Sequence, residues 1–114
     1  MTVYVVQRAT YREHGVLKDK YDLTPAEEFG ELEYLLEPDT KPFETAPIID
    51  DLYAKLEDFC DDDFVICIGN PILLALTVSI AMDCNDGRAK LLQWNGRRGT
   101  YVPVSADLGF TDAD

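Results

Sequence analysis

Residues 64–94 read FVICIGNPILLALTVSIAMDCNDGRAKLLQW, and the fold follows from them. The run from Phe64 to Ile68 is five apolar residues ending at Gly69, the pattern of a strand covered on both faces. Asn70-Pro71 supplies an N-cap and a first-turn proline, which predicts a helix over residues 72–84. That helix is apolar nearly all round, so most of its sides have to be covered. Asn85-Asp86-Gly87 ends it, and residues 88–94 return as a strand. A strand, helix and strand joined in this way form a parallel crossover, right-handed in about 98% of cases. The loop Asn95-Gly96-Arg97-Arg98-Gly99 then turns the chain into a last strand over residues 100–106, giving a C-terminal β-hairpin. Pro103 cannot donate to a ladder, which places this strand at a sheet edge or a bulge.

Toward the N-terminus, Val3-Tyr4-Val5-Val6 is a second buried-strand run. Residues 10–23 are polar and mixed in charge, with Gly15 in the middle, and read as a surface loop or a ragged hairpin arm. Thr24-Pro25-Ala26-Glu27 has the form of a capping box opening a helix of one or two turns that Gly30 stops. Residues 31–37 alternate, with Leu32, Tyr34 and Leu36 on one face, Glu31, Glu33 and Glu37 on the other, and Leu35 as the exception. Residues 38–47 carry three prolines and read as a linker. A second helix follows, its apolar side Ile48, Ile49, Leu52, Tyr53, Leu56, Phe59 and Cys60 and its outer side Asp50, Asp51, Glu57 and Asp58. The expected fold is a single α/β (α+β) domain over residues 1–114, a mixed sheet of about five strands with two main helices. The order of its first two strands stays open, and the acidic tail from Ala106 is expected to fray.

The chain has 22 Asp and Glu against 10 Lys and Arg, a formal net charge of −12, which argues against unaided binding to nucleic acid or anionic membranes. The charge is local, because residues 22–63 hold fifteen acidic residues and two lysines, a net of −13. Glu31, Glu33, Glu37, Asp50, Asp51, Glu57 and Asp58 are therefore the candidate partner-binding residues, complementary to a basic protein surface. The first fifteen residues lack the marks of a signal peptide, and the apolar run of residues 71–82 is shorter than the roughly 20 residues that span a bilayer. A cytoplasmic protein is expected. Cys60, Cys67 and Cys84 fit neither a disulfide framework nor a metal knuckle and read as reduced, buried thiols. Asp61-Asp62-Asp63 lacks calcium-loop spacing and reads as a solvated turn, so no metal or other cofactor is expected. His14 is the sole histidine, and neither Ser79 nor Cys84 has a base in sight, so no enzymatic activity is expected. Gly69 and Asn70 form an alternative ligand site, at the carboxyl end of a strand where a helix begins.

From Asp63 onward, FVICIGNP, the apolar helix and NDGRAKLLQWNGRRGTYVPVSADL (residues 85–108) resemble small proteins encoded in phage and prophage genomes. The resemblance implies a small α/β fold and a phage setting, and it brings no catalytic or binding residues with it. In that setting, the first expectation is a non-enzymatic protein that binds a basic host or defence protein and inhibits it by occupying a nucleic-acid-binding surface. The alternative is a small nucleotide- or anion-binding domain using the turn from Gly69 to Pro71.

Overall fold

In the computed structural model, which describes residues 1–109, the apolar run Val3-Tyr4-Val5-Val6 lies in β1 (Thr2–Gln7) with each side chain at most 7% exposed. A strand apolar on both faces needs a neighbour on each edge and a layer above and below. β4 (Glu31–Leu36) and β5 (Phe64–Ile66) supply the edges, both parallel to β1. β6 (Arg88–Asn95) pairs parallel with β5, and β7 (Thr100–Asp107) antiparallel with β6. The order β4-β1-β5-β6-β7 puts the first strand inside the sheet and Pro103 on its edge strand, as its missing N–H requires.

Alternation divides the core between the two faces. Tyr4, Val6 and Val65 pack with Leu52 and Leu56 of α1 (Thr45–Leu56) and Leu73 and Ile80 of α2 (Pro71–Cys84). Val3, Val5, Phe64, Ile66 and Leu92 face the other way, onto Ala26 of a 3-10 helix (Thr24–Phe29), whose Phe29 ring meets Phe64 edge-on at 5.4 Å. The chain crosses from β1 to β4 through the 3-10 helix, then back through α1 and α2. Opposite directions on opposite faces are what one handedness of crossover demands.

Several local expectations change in the tertiary setting. Thr24 is not a cap: Leu23 holds the cap position without a side-chain bond, and the Thr24 N–H donates to Asp22 Oδ1 at 3.0 Å. Residues 10–19 form a two-stranded hairpin, β2 (Thr10–Glu13) with β3 (Val16–Asp19), turning on His14 and Gly15 at φ 51° and 78°. Tyr34 was expected inside, yet it is 43% exposed, because β4 is an edge strand. Leu35 is buried because its side chain joins the core cluster with Leu52 and Leu56 of α1, whose Lys55 also donates to the Leu35 carbonyl. The linker is shorter than expected, since α1 starts at Thr45 and takes Pro47 into its first turn, where an N–H has no helical partner to lose. Tyr53 and Cys60 fall outside the core, and the Tyr53 hydroxyl donates to Asp83 Oδ2 at 2.5 Å. Ala106 and Asp107 belong to β7, the Leu108 N–H donates to the Gly87 carbonyl at 2.9 Å and the Gly109 N–H to Asp107 Oδ1 at 2.8 Å, and the expected fraying of residues 110–114 lies outside those described.

The acidic turn 61–63 is not simply solvated. Asp63 is buried, accepting the Thr2 N–H on Oδ1 at 3.0 Å and the Cys60 N–H on Oδ2 at 3.1 Å. One carboxylate thus ties the start of β1 to the turn that leads into β5. Asp61 pairs with Arg88 at 3.2 Å and accepts from Asn85 at 2.9 Å. Asp63→Ala leaves two N–H donors without an acceptor and is expected to cost about 2 kcal/mol in urea unfolding. Asp62→Ala, at an exposed position, is expected to stay within about 0.5 kcal/mol of the parent.

Candidate functional site

The core stripe of α1, Ile48, Leu52 and Leu56, faces the sheet and leaves Asp50 and Asp51 on the exposed side of the helix. On the β4 side, Lys55 bridges Asp51 Oδ2 at 3.1 Å and the Leu35 carbonyl. On the α2 side, Tyr53 bonds Asp83, and Glu57 lies close enough to Cys84 to disfavour its thiolate. Of the carboxylates predicted on one outer face, Asp50 and Asp51 lie on the exposed side of α1, Glu57 is its C-cap, and Asp58 follows in the turn beyond the helix end.

Glu31 and Glu33 sit beside Thr2 and Tyr4 of β1, about 7 Å apart by strand rise, and share a face with Leu35. The Tyr4 phenol joins strand and helix electrostatically. Burial raises its pKa most, followed by Asp63 and Glu33, with Cys60 and Asp58 adding to the effect. Glu33 and Asp58 are 25 residues apart in sequence and act on the same hydroxyl. Glu37 stands just past the far end of β4, where its backbone carbonyl accepts from Gln7 Nε2 at 3.1 Å. All seven candidate carboxylates are exposed. Asp51 is in an ion pair, and among the described residues Glu31, Glu33, Glu37, Asp50, Glu57 and Asp58 are in none.

At the alternative site, Gly69 has φ 103° with open space around its Cα, and Asn70 caps α2. Asn70 Oδ1 accepts from the Ile72 and Leu73 N–H groups at 2.9 and 3.2 Å, and its carbonyl accepts from Leu74 N–H at 2.9 Å. Pro71 has no N–H, so the side chain and backbone of Asn70 hold the donors that an anion would use. His14 is exposed at the hairpin tip, and Ser79 is exposed on α2. Among the described residues no three His, Cys, Asp or Glu could hold a metal ion together.

The thiols differ from expectation. Cys60 is exposed, its Sγ 3.5 Å from Asp63 Oδ2, while Cys67 and Cys84 are half-buried. Burial raises the pKa of Cys67. Cys84 is raised by burial first and then by Asp83 and Glu57.

Residues 1–108 match the phage Pam3 gp32-like protein family. The chain belongs to that family. The match runs through the acidic middle as well as the crossover and hairpin, so the phage likeness is not confined to the stretch from Asp63 onward. No curated protein and no solved structure matches the chain. No helix among the described residues of this family member is long and apolar enough to cross a membrane.

Two outcomes are expected. Asn70→Ala should cost about 1 kcal/mol in thermal or urea unfolding through loss of the cap, with capture of any acidic-face partner unchanged. Native alkylation should modify Cys60 ahead of Cys67 and Cys84, whose reaction should need more alkaline solution because their thiolates form at higher pH. Peptide mapping by mass spectrometry reads that order.

Proposed function

We propose that this phage protein is a non-enzymatic docking protein whose acidic surface binds a basic host or defence protein and inhibits it by occupying a nucleic-acid-binding surface. The observation that carries the reading is the set of six exposed carboxylates, Glu31, Glu33, Glu37, Asp50, Glu57 and Asp58, that no lysine or arginine of the protein neutralises among the described residues. Like charges held close together destabilise a fold. A groove lined with Lys and Arg offsets that repulsion, and carboxylates entering it take the place of phosphates. Such a partner is met in the host cytosol. The alternative reading, an anion or nucleotide at Gly69 and Asn70, needs backbone donors that Asn70 already holds.

Reversing those six residues to lysine brings the formal net charge from −12 to zero while touching exposed positions alone. Circular dichroism and melting temperature should change little, since exposed substitutions usually cost no more than about 0.5 kcal/mol each. A partner captured from host lysate by the parent should be released at high salt, and the parent should displace nucleic acid from it. The reversed protein should do neither. Equal capture and displacement by both proteins would make the acidic surface a solubilising one.

A further inference from the structure

On the face of β4 opposite Glu31 and Glu33 lies a cavity of about 350 Å³, lined by Asp19, Tyr21, Asp22, Glu27 and Tyr34. Leu23 and Leu32 connect it to the core. It is built by the connection from β1 to β4 and lies beside the point where the strand order diverges. β1 leads away toward β4, and its neighbour β5 leads away toward β6, so the chain diverges beyond their carboxyl ends. Open α/β sheets bind ligands at such a divergence. A narrow cleft there, lined by Gln7, Arg8, Ala9 and Ile68, shares Asp19, Tyr21, Leu23 and Tyr34 with the cavity. Arg8 forks onto Asp19 at 2.7 and 3.2 Å in the cleft, which leaves the room on the side of Tyr21 and Tyr34.

The lining selects a cation. Three carboxylates line the space; Asp19 is paired with Arg8, while Asp22 and Glu27 are in no ion pair among the described residues. Asp19 is held below the usual carboxylate range by its hydrogen bond from Arg8, and Asp22 by its bonds from Thr24, so both stay charged. The Tyr21 ring already faces a cation, with Lys20 Nζ 5.6 Å from its centroid. The acids stand around the cavity without converging, since no three such groups among the described residues could share a metal ion. An organic cation that is flat enough for a tyrosine face and forked enough for a carboxylate fits this arrangement. Guanidinium has both properties and sheds water more readily than ammonium.

We propose that this cavity receives an arginine side chain of the basic partner, with its guanidinium against Tyr21 or Tyr34 and hydrogen-bonded to Asp22 or Glu27. The identity of the carrier rests on the docking reading; the cation site itself does not. β4 then works on both faces, with Glu31 and Glu33 toward one side of the partner and the cavity gripping it from the other.

The test is a titration of the whole protein with N-acetyl-arginine N-methylamide, followed by amide NMR, with the citrulline counterpart as the neutral isostere. Saturable shifts at Tyr21, Glu27 and Tyr34 are expected, with citrulline at least about tenfold weaker. Glu27→Gln and Tyr34→Leu, both at exposed positions, should each weaken arginine binding by about fivefold with an unchanged melting temperature. Equal binding of citrulline, shifts that spare these three residues, or undiminished binding by both variants would overturn the proposal. Capture of a basic partner from lysate depends on none of these readings, so failure of the cavity and failure of the docking surface are told apart.

Discussion

Burial of β1 on both faces and both edges is the constraint on which the rest of the structure depends. Four consecutive side chains, Val3 to Val6, leave water together, a gain of about 1.5 kcal/mol or more for each valine. Satisfying the backbone of such a strand takes a ladder on each side, so β4 and β5 must both run beside it. Since these partners follow it in sequence, the chain crosses to one side and returns to the other. The 3-10 helix therefore covers one face and α1 with α2 the other. Asp63 holds this arrangement at the amino end, taking the Thr2 N–H of β1 and the Cys60 N–H from the turn before β5.

The same topology shapes the surface. Because β1 occupies the interior, β4 is pushed to the edge, and its acids are set on an outer strand flanked by α1. An edge strand with glutamates at 31 and 33 is protected against pairing with another chain, since charge on an edge opposes strand addition. It also puts β4 carboxylates near those at the end of α1, as their joint effect on Tyr4 shows. Lys55 lies between, but its ammonium is committed to Asp51 and the Leu35 carbonyl. The remaining acids are in no ion pair among the described residues, which is the observation the docking proposal starts from.

What could be read from sequence was what local chemistry decides. The apolar run before Gly69, the Asn70-Pro71 start of α2 and the turn between β6 and β7 each carry their own steric and hydrogen-bonding reasons. Strand, helix, strand and hairpin follow from them wherever the rest of the chain goes. The acidity of residues 22–63 was equally plain, because charge is a property of composition. Pro103 marked an edge strand because a missing N–H tells the same story in any sheet.

The remainder depended on which elements meet. Tyr34 alternates with glutamates and reads as a core residue, but no layer reaches that far across an edge strand, so it is half exposed and lines a cavity instead. Leu35 breaks the alternation and is buried, because α1 happens to lie over it. Asp63 looks like its two neighbours in sequence and differs from them through its bond to Thr2, 61 residues away. The cavity joins Asp19 and Tyr21 at the base of a hairpin with Tyr34 on a strand, a grouping with no spacing to recognise. Period and capping describe a chain against itself over a few residues, whereas burial, edge position and the meeting of distant carboxylates are set by the order of strands in the sheet.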